Sequence, residues 1–236
     1  MSALRLAIVG DGKMGRAIAD LARERAFVVT TIIGAGENAD GAAINRARLG
    51  DAEVVIEFTE PHAAPANIAA AVRAGYPVVS GTTGWTEQLD RVTAEVRSAD
   101  GALVHAPNFS IGVNLFLAIA AAAGRVMARG PEFDAAIVET HHSAKKDAPS
   151  GTAIALERAV STTLGKSVPT SSIRTGFVPG THELSFDGPF EQIRLIHTAR
   201  DRRVFADGAL YVAAWVRGRK GVFTMRDVLA LGSETT

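Results

Sequence analysis

Through its first hundred residues the chain alternates short apolar, β-branched runs with Ala-rich stretches whose apolar positions recur every three or four residues. Leu4–Val9, Phe27–Ile33, Glu53–Phe58, Pro77–Ser80 and Ala102–His105 read as strands. Met14–Arg25, Pro61–Ala74 and Glu87–Arg97 read as helices, with Pro61 a suitable first residue for its helix. The strands are almost continuously apolar, and strands buried on both faces and separated by helices form parallel sheets with helices on either side.

The texture changes after Asn108. A long Ala-rich helix over about Val113–Met127 precedes a strand at Ala135–Thr140 and a helix at about Thr152–Leu164. His182–Phe186 and Gln192–Thr198 alternate apolar and polar positions, the pattern of an open sheet with antiparallel pairing. Ser161–Pro179, rich in Ser, Thr and Gly, reads as loop, and helical periodicity returns over Val204–Val216 and Met225–Leu231, where Thr224 and Asp227 form a plausible cap.

The 236 residues carry 25 basic and 25 acidic side chains, so no global charge draws the protein to nucleic acid or to an anionic membrane, and any anion site must be local. The absence of cysteine removes disulfides, Cys-ligated zinc and a Cys nucleophile, and no metal is expected. The Leu115–Ala128 stretch contains Gly124 and Arg125 and falls short of a membrane span, and the N-terminal apolar run is too short for a signal peptide; a soluble cytoplasmic protein is expected.

Three segments carry candidate chemistry. "AIVGDGKMGRAI" places Gly10, Gly12 and Gly15 between a strand and a helix, the arrangement that lets a pyrophosphate approach the backbone at a helix N-terminus. Gly10, Asp11, Gly12, Lys13, Met14 and Gly15 are therefore candidate dinucleotide contacts. The acidic residue usual near the end of the second strand is displaced: Ile33 is followed by Gly-Ala-Gly before Glu37, and Lys13 and Arg16 could instead meet a 2′-phosphate or simply be solvated. Two loops following strands, Gly81-Thr82-Thr83 and Ala106-Pro107-Asn108-Phe109, should lie on the same ligand-binding edge, although each taken alone reads as an ordinary turn.

The third segment, "VETHHSAKKDAPSGTA", sets His141, His142, Lys145 and Lys146 before Ser150-Gly151-Thr152, where Ser150 is a natural helix N-cap. Cations facing a helix N-terminus suit a carboxylate or phosphate, and a dianion is the economical ligand. A histidine beside them suits proton transfer near neutral pH.

The segment "ETHHSAKKDAPSGTA", with "GTTG", "APNFSIGVNLF" and "GVFTMRDVLAL" in order, resembles the 4-hydroxy-tetrahydrodipicolinate reductase (dihydrodipicolinate reductase) family over nearly the whole chain. The resemblance implies reduction of a cyclic dicarboxylate by NADH or NADPH in diaminopimelate and lysine biosynthesis. His141 would match the proton donor/acceptor and Lys145 a second proton donor; His142, Ser150, Gly151 and Thr152 would match substrate binders. It further implies an α/β fold: a Rossmann-type dinucleotide-binding domain (1–108 with 203–236) and an inserted α+β substrate domain (109–202) whose open mixed sheet builds a homotetramer. The glycine loop is one residue shorter than in many members, and 34–50 is abbreviated, which leaves the choice of cofactor open. A dehydrogenase of another substrate class and a catalytically silent nucleotide sensor are the competing readings.

Overall fold

A computed structural model describes residues 3–130 and 133–232, so the outermost residues of the expected ranges, 1–2 and 233–236, lie outside it. The chain divides into two compact units, residues 1–110 with 203–236, and residues 111–202.

The first unit begins with β1 (Leu4–Val9), α1 (Lys13–Glu24), β2 (Phe27–Ile33), a short α2 (Arg46–Leu49), β3 (Val54–Glu57), α3 (Ala64–Arg73), β4 (Val78–Ser80), α4 (Leu89–Ser98) and β5 (Ala102–His105). The second unit holds α5 (Ile111–Met127), β6 (Asp134–His141), α6 (Gly151–Leu164), β7 (Thr170–Arg174), β8 (Thr181–Asp187) and β9 (Gln192–Thr198). The chain then returns to the first unit with α7 (Arg203–Val216), β10 (Gly221–Phe223) and α8 (Met225–Val228). Helix α3 starts three residues after Pro61, and Pro65 takes the first-turn position instead.

The first unit's six strands run in the order β10-β5-β4-β3-β1-β2, all paired in parallel. Chain order reverses between β1 and β3, and such a switch point opens a crevice at the carboxyl ends of the strands. The last row across the sheet, from β2 to β5, is Ile33, Val9, Glu57, Ser80 and His105. Helix α7 buries Ala206, Ala209, Leu210, Val212, Ala213 and Val216. Each of its larger aliphatic side chains contributes roughly 1.5–3 kcal/mol on full burial. Gly208 brings α7 so close to the Phe109 carbonyl that a methyl group there would overlap it, so the returning helix braces the loop after β5. Asp227 accepts from the Thr224 amide at 2.7 Å and the Thr224 hydroxyl at 2.8 Å, which caps α8.

The second unit's sheet runs β7-β6-β8-β9, with β6 and β7 parallel and the other pairs antiparallel. Its inner face meets α5 and α6 through Phe116, Ile137, Leu156, Val160, Leu184 and Phe186. Two strands depart from the sequence reading. β7 lies within the segment read as loop, because TSSIR is mostly polar and its inward alternation is weak. β10 is only three residues long, too short for a period to register.

Candidate active site

Both glycines flanking the first loop are required by packing. Gly10 takes φ +108° and lies against the Phe58 carbonyl that follows β3, and a methyl group at Gly15 would overlap the Gly10 carbonyl. At Gly12, by contrast, a methyl group would meet no heavy atom within 4 Å, and this residue caps α1 without any side chain closing over the helix. Free amides at the start of a 12-residue helix with open space above them fit a dinucleotide pyrophosphate. Asp11, Gly12 and Lys13 are exposed around that space and Met14 is half-buried.

Glu37 is fully employed beyond β2: it accepts from the Gly34 amide at 3.2 Å and from Arg48 at 2.8 Å. Gly34 itself abuts Asp11, whose Oδ2 would lie 2.9 Å from a methyl group placed there. Two carboxylates therefore lie at the carboxyl end of β2: Glu37, tied to the Gly34 amide and Arg48, and Asp11, brought from the glycine loop. Arg16 Nε donates to the Asp11 carbonyl at 2.8 Å.

The other two loops leave the same sheet edge. Thr82, Ala106 and Phe109 are buried, with Phe109 packed on Phe58 at a centroid distance of 5.8 Å. Thr83 and Pro107, by contrast, are exposed. Asn108 accepts from the Ser110 amide at 2.9 Å, which shapes the turn.

In the second unit, β6 alternates inward Ala135, Ile137, Glu139 and His141 with outward positions. His141 is thus the last residue of the strand, 8% exposed, with its ring on the inner face, while His142 turns away and its amide bonds the Val178 carbonyl. His141 Nδ1 is hydrogen-bonded to Glu139 Oε2. Glu139 Oε1 receives Arg174 at 2.6 Å and the Ser150 amide at 3.2 Å. The His182 ring stands edge-on to His141 at 5.2 Å, and its Nε2 pairs with Ser150 Oγ at 3.1 Å. Ser150 Oγ accepts from the Ala153 amide at 3.2 Å and caps α6. Lys145 Nζ reaches both oxygens of Asp147, at 2.8 and 2.9 Å, and the Asp147 carbonyl accepts from Arg174 at 2.6 Å. Lys145, His141 and the start of α6 are therefore joined by one network. Gly151 and Thr152 form the first turn of α6, Gly151 being exposed, and Lys146 is solvent-exposed.

Charge follows this geometry. Burial alone would raise Glu139, but Arg174, the Ser172 hydroxyl and His141 outweigh it and hold the carboxyl at about 2. Burial lowers His141, and Lys145 and Arg174 push the same way against Glu139. Burial, followed by the His141 charge, lowers His182 to about 4. An ionised Glu139 can only accept hydrogen bonds, so His141 Nδ1 carries the proton and Nε2 bears the lone pair.

Glu139, His141 and His182 offer ligand atoms within 4.8 Å of one another. Both Glu139 oxygens are already committed, one of them to a guanidinium, so the donor set suits proton handling better than a cation.

Glu139, Arg174 and His182 are absent from the sequence-level site. For Glu139 a signal existed: two-residue alternation continued from Ile137 places 139 and 141 on the same buried face. Arg174 and His182 come from strands 33 and 41 residues further along than His141 and carry no local signature.

A parallel, doubly wound sheet with a glycine loop at its switch point, carried with a His/Lys site in a second unit, defines a nicotinamide-dependent oxidoreductase. Family models agree: residues 4–109 match "Dihydrodipicolinate reductase, N-terminus" and 112–229 match "Dihydrodipicolinate reductase, C-terminus". The 4-hydroxy-tetrahydrodipicolinate reductase of Rhodopseudomonas palustris (strain BisA53) is 37% identical over 278 aligned residues, covering 100% of both chains. That of Christiangramia forsetii is 31% identical, covering 96% of this chain and 98% of the relative. Among solved structures, a dipicolinate-bound dihydrodipicolinate reductase from Paenisporosarcina sp. TG-14 shares the fold, with a TM-score of 0.78 at 22% identity, covering 94% of this chain and 97% of that one. The chain belongs to the dihydrodipicolinate reductase family.

Proposed function

We propose that this protein reduces 4-hydroxy-tetrahydrodipicolinate to tetrahydrodipicolinate with NADH or NADPH. The observation that carries the reading is the single network joining Lys145, His141 and the N-terminus of α6. The reduced nicotinamide would supply the hydride for this reduction, in which the substrate hydroxyl is lost as water. The glycine loop would hold the pyrophosphate, and the loops at 81–83 and 106–109 would meet the nicotinamide end. Asp11, beside Gly34, favours a free ribose 2′-hydroxyl and so tilts preference toward NADH.

A substrate carboxylate sits on the amides of Gly151 and Thr152, with His142 beside it. Lys145 Nζ exchanges part of its pairing with Asp147 for the substrate and donates the proton that leaves with the substrate hydroxyl as water. His141, neutral near pH 7 and protonated on Nδ1, presents Nε2 as an acceptor that relays a proton back toward the lysine. We further propose a homotetramer assembled through the uncovered face of the second unit's sheet, where Ile173 and Ile196 are 46% and 53% exposed.

The deciding assay follows loss of reduced-nicotinamide absorbance with freshly made 4-hydroxy-tetrahydrodipicolinate, offering NADH and NADPH separately. Substrate-dependent oxidation with kcat/KM greater for NADH is expected. Binding of both nucleotides without oxidation of either would overturn the assignment.

A further inference from the structure

Glu57 is a buried carboxylate that the chemistry above leaves unused. It is the last residue of β3, 1% exposed, in the middle of the sheet-edge row from which every proposed cofactor loop departs. Among the described residues no cation lies against it. Its partners are neutral: Ser80 Oγ donates at 2.6 Å, Thr82 Oγ1 at 2.9 Å and the Thr59 amide at 3.1 Å, with the Thr59 hydroxyl close on Oε1. Burial drives its proton affinity up, and these hydrogen bonds oppose that only in part. A buried carboxylate without a counter-charge is unfavourable, and an apolar residue would serve the core better.

The network it anchors explains the placement. Thr82 Oγ1 donates to Glu57 and accepts from the Thr59 amide at 2.8 Å, which ties the loop after β4 to the loop after β3. Thr59 Oγ1 accepts from buried Asn67 at 3.2 Å, and Asn67 Oδ1 accepts from Asn38 at 2.8 Å. Asn38 accepts in turn from the Ala43 amide at 3.2 Å, in the segment that follows β2. One acidic side chain therefore reaches, through neutral groups, the loops after β2, β3 and β4.

We propose that Glu57 is a positioning residue for the nicotinamide cofactor. Its carboxylate fixes the Gly81–Gly84 loop, through Thr82 and Ser80, in the conformation that receives the dinucleotide. The proposal rests on reading that loop as a cofactor contact. An acceptor-only group lets four hydroxyl and amide donors converge on its two oxygens, Ser80 on Oε2 and Thr82 and Thr59 on Oε1, which a glutamine of the same shape cannot do, because it offers one acceptor oxygen in place of two.

The test is a double-variant cycle read by NADH binding without substrate, using fluorescence of the reduced nicotinamide, together with Tm of each ligand-free protein. Wild type, Glu57→Gln, Thr82→Val and the combined variant are compared. The expected result is roughly 10-fold weaker NADH binding in Glu57→Gln, a similar loss in Thr82→Val, and no further loss in the combined variant. A purely structural role would lower Tm while leaving the Kd of the folded protein unchanged, and that outcome overturns the proposal, as does additivity of the two losses. Should wild type itself fail to bind NADH or NADPH, the dinucleotide reading would fall first. Wild-type binding with an unaltered Glu57→Gln rejects only the role of Glu57.

Discussion

Replacing Glu139 by Gln tests whether the buried network governs both the stability of the second unit and the state of His141. The substitution keeps shape but removes the charge that holds Arg174 at 2.6 Å, where the two side chains are 18% and 0% exposed. Leaving one member of a buried ion pair uncompensated costs about 3–5 kcal/mol. With about 2–4 °C of Tm per kcal/mol for a chain of this size, the expected fall is roughly 6–20 °C. At the same time His141 loses the anionic acceptor that fixes its tautomer, so kcat should fall by roughly 10²–10⁴-fold with little change in nucleotide affinity. The combined variant Glu139→Gln/Arg174→Met separates these effects. Without the stranded guanidinium most of the Tm returns, while kcat stays low. Calorimetry and steady-state kinetics on the three proteins decide it. A Glu139→Gln protein that melts within about 2 °C of wild type would refute the energetic argument. Recovery of kcat in the double variant would refute the claim that Glu139 acts on His141 directly.

Three further outcomes follow from the same geometry. His182 folds with its pKa lowered from 6.5 to about 4, so the native state disfavours its protonation. Its stabilising contribution is complete above about pH 6.5 and is lost as pH falls toward 4, by up to about 3 kcal/mol; His182→Gln should flatten Tm against pH in that window, and an unchanged slope would remove His182 as the cause. Asp11→Asn should raise kcat/KM for NADPH relative to NADH by roughly 10-fold, by removing a carboxylate from the carboxyl end of β2; an unchanged ratio would place the ribose elsewhere. Lys145→Ala should lower kcat and raise KM for the dicarboxylate while NADH affinity, measured by fluorescence, holds; a loss confined to NADH affinity would contradict the assignment of Lys145 to the substrate.

Much of the first unit is legible in sequence because it rests on local rules. Near-continuous apolar strands such as Val54–Ile56, broken by amphipathic helices, can only be covered on both faces, and the glycine loop announces itself by position between strand and helix. Ser150 is readable as a cap for the same reason: an N-cap is decided within three residues. The short β10 and the polar β7 escape because a strand of three to five residues is defined by its neighbours' hydrogen bonds and hardly at all by its own period.

The sequence by itself determined the alternation of strands and helices, the helix N-terminus at Ser150 and the concentration of His and Lys before it. Tertiary structure alone decided which charges meet. Arg174 and His182 reach His141 only because β7 and β8 flank β6 in register, and Asp11 comes beside Gly34 only because β1 and β2 end on one edge. Glu57 likewise gathers Thr59, Ser80 and Thr82 across neighbouring strands. Local pattern follows from side-chain period and capping over a few residues, whereas the protonation of a buried group depends on the solvation and charges of residues tens of positions away, which only the folded sheet brings within hydrogen-bond reach.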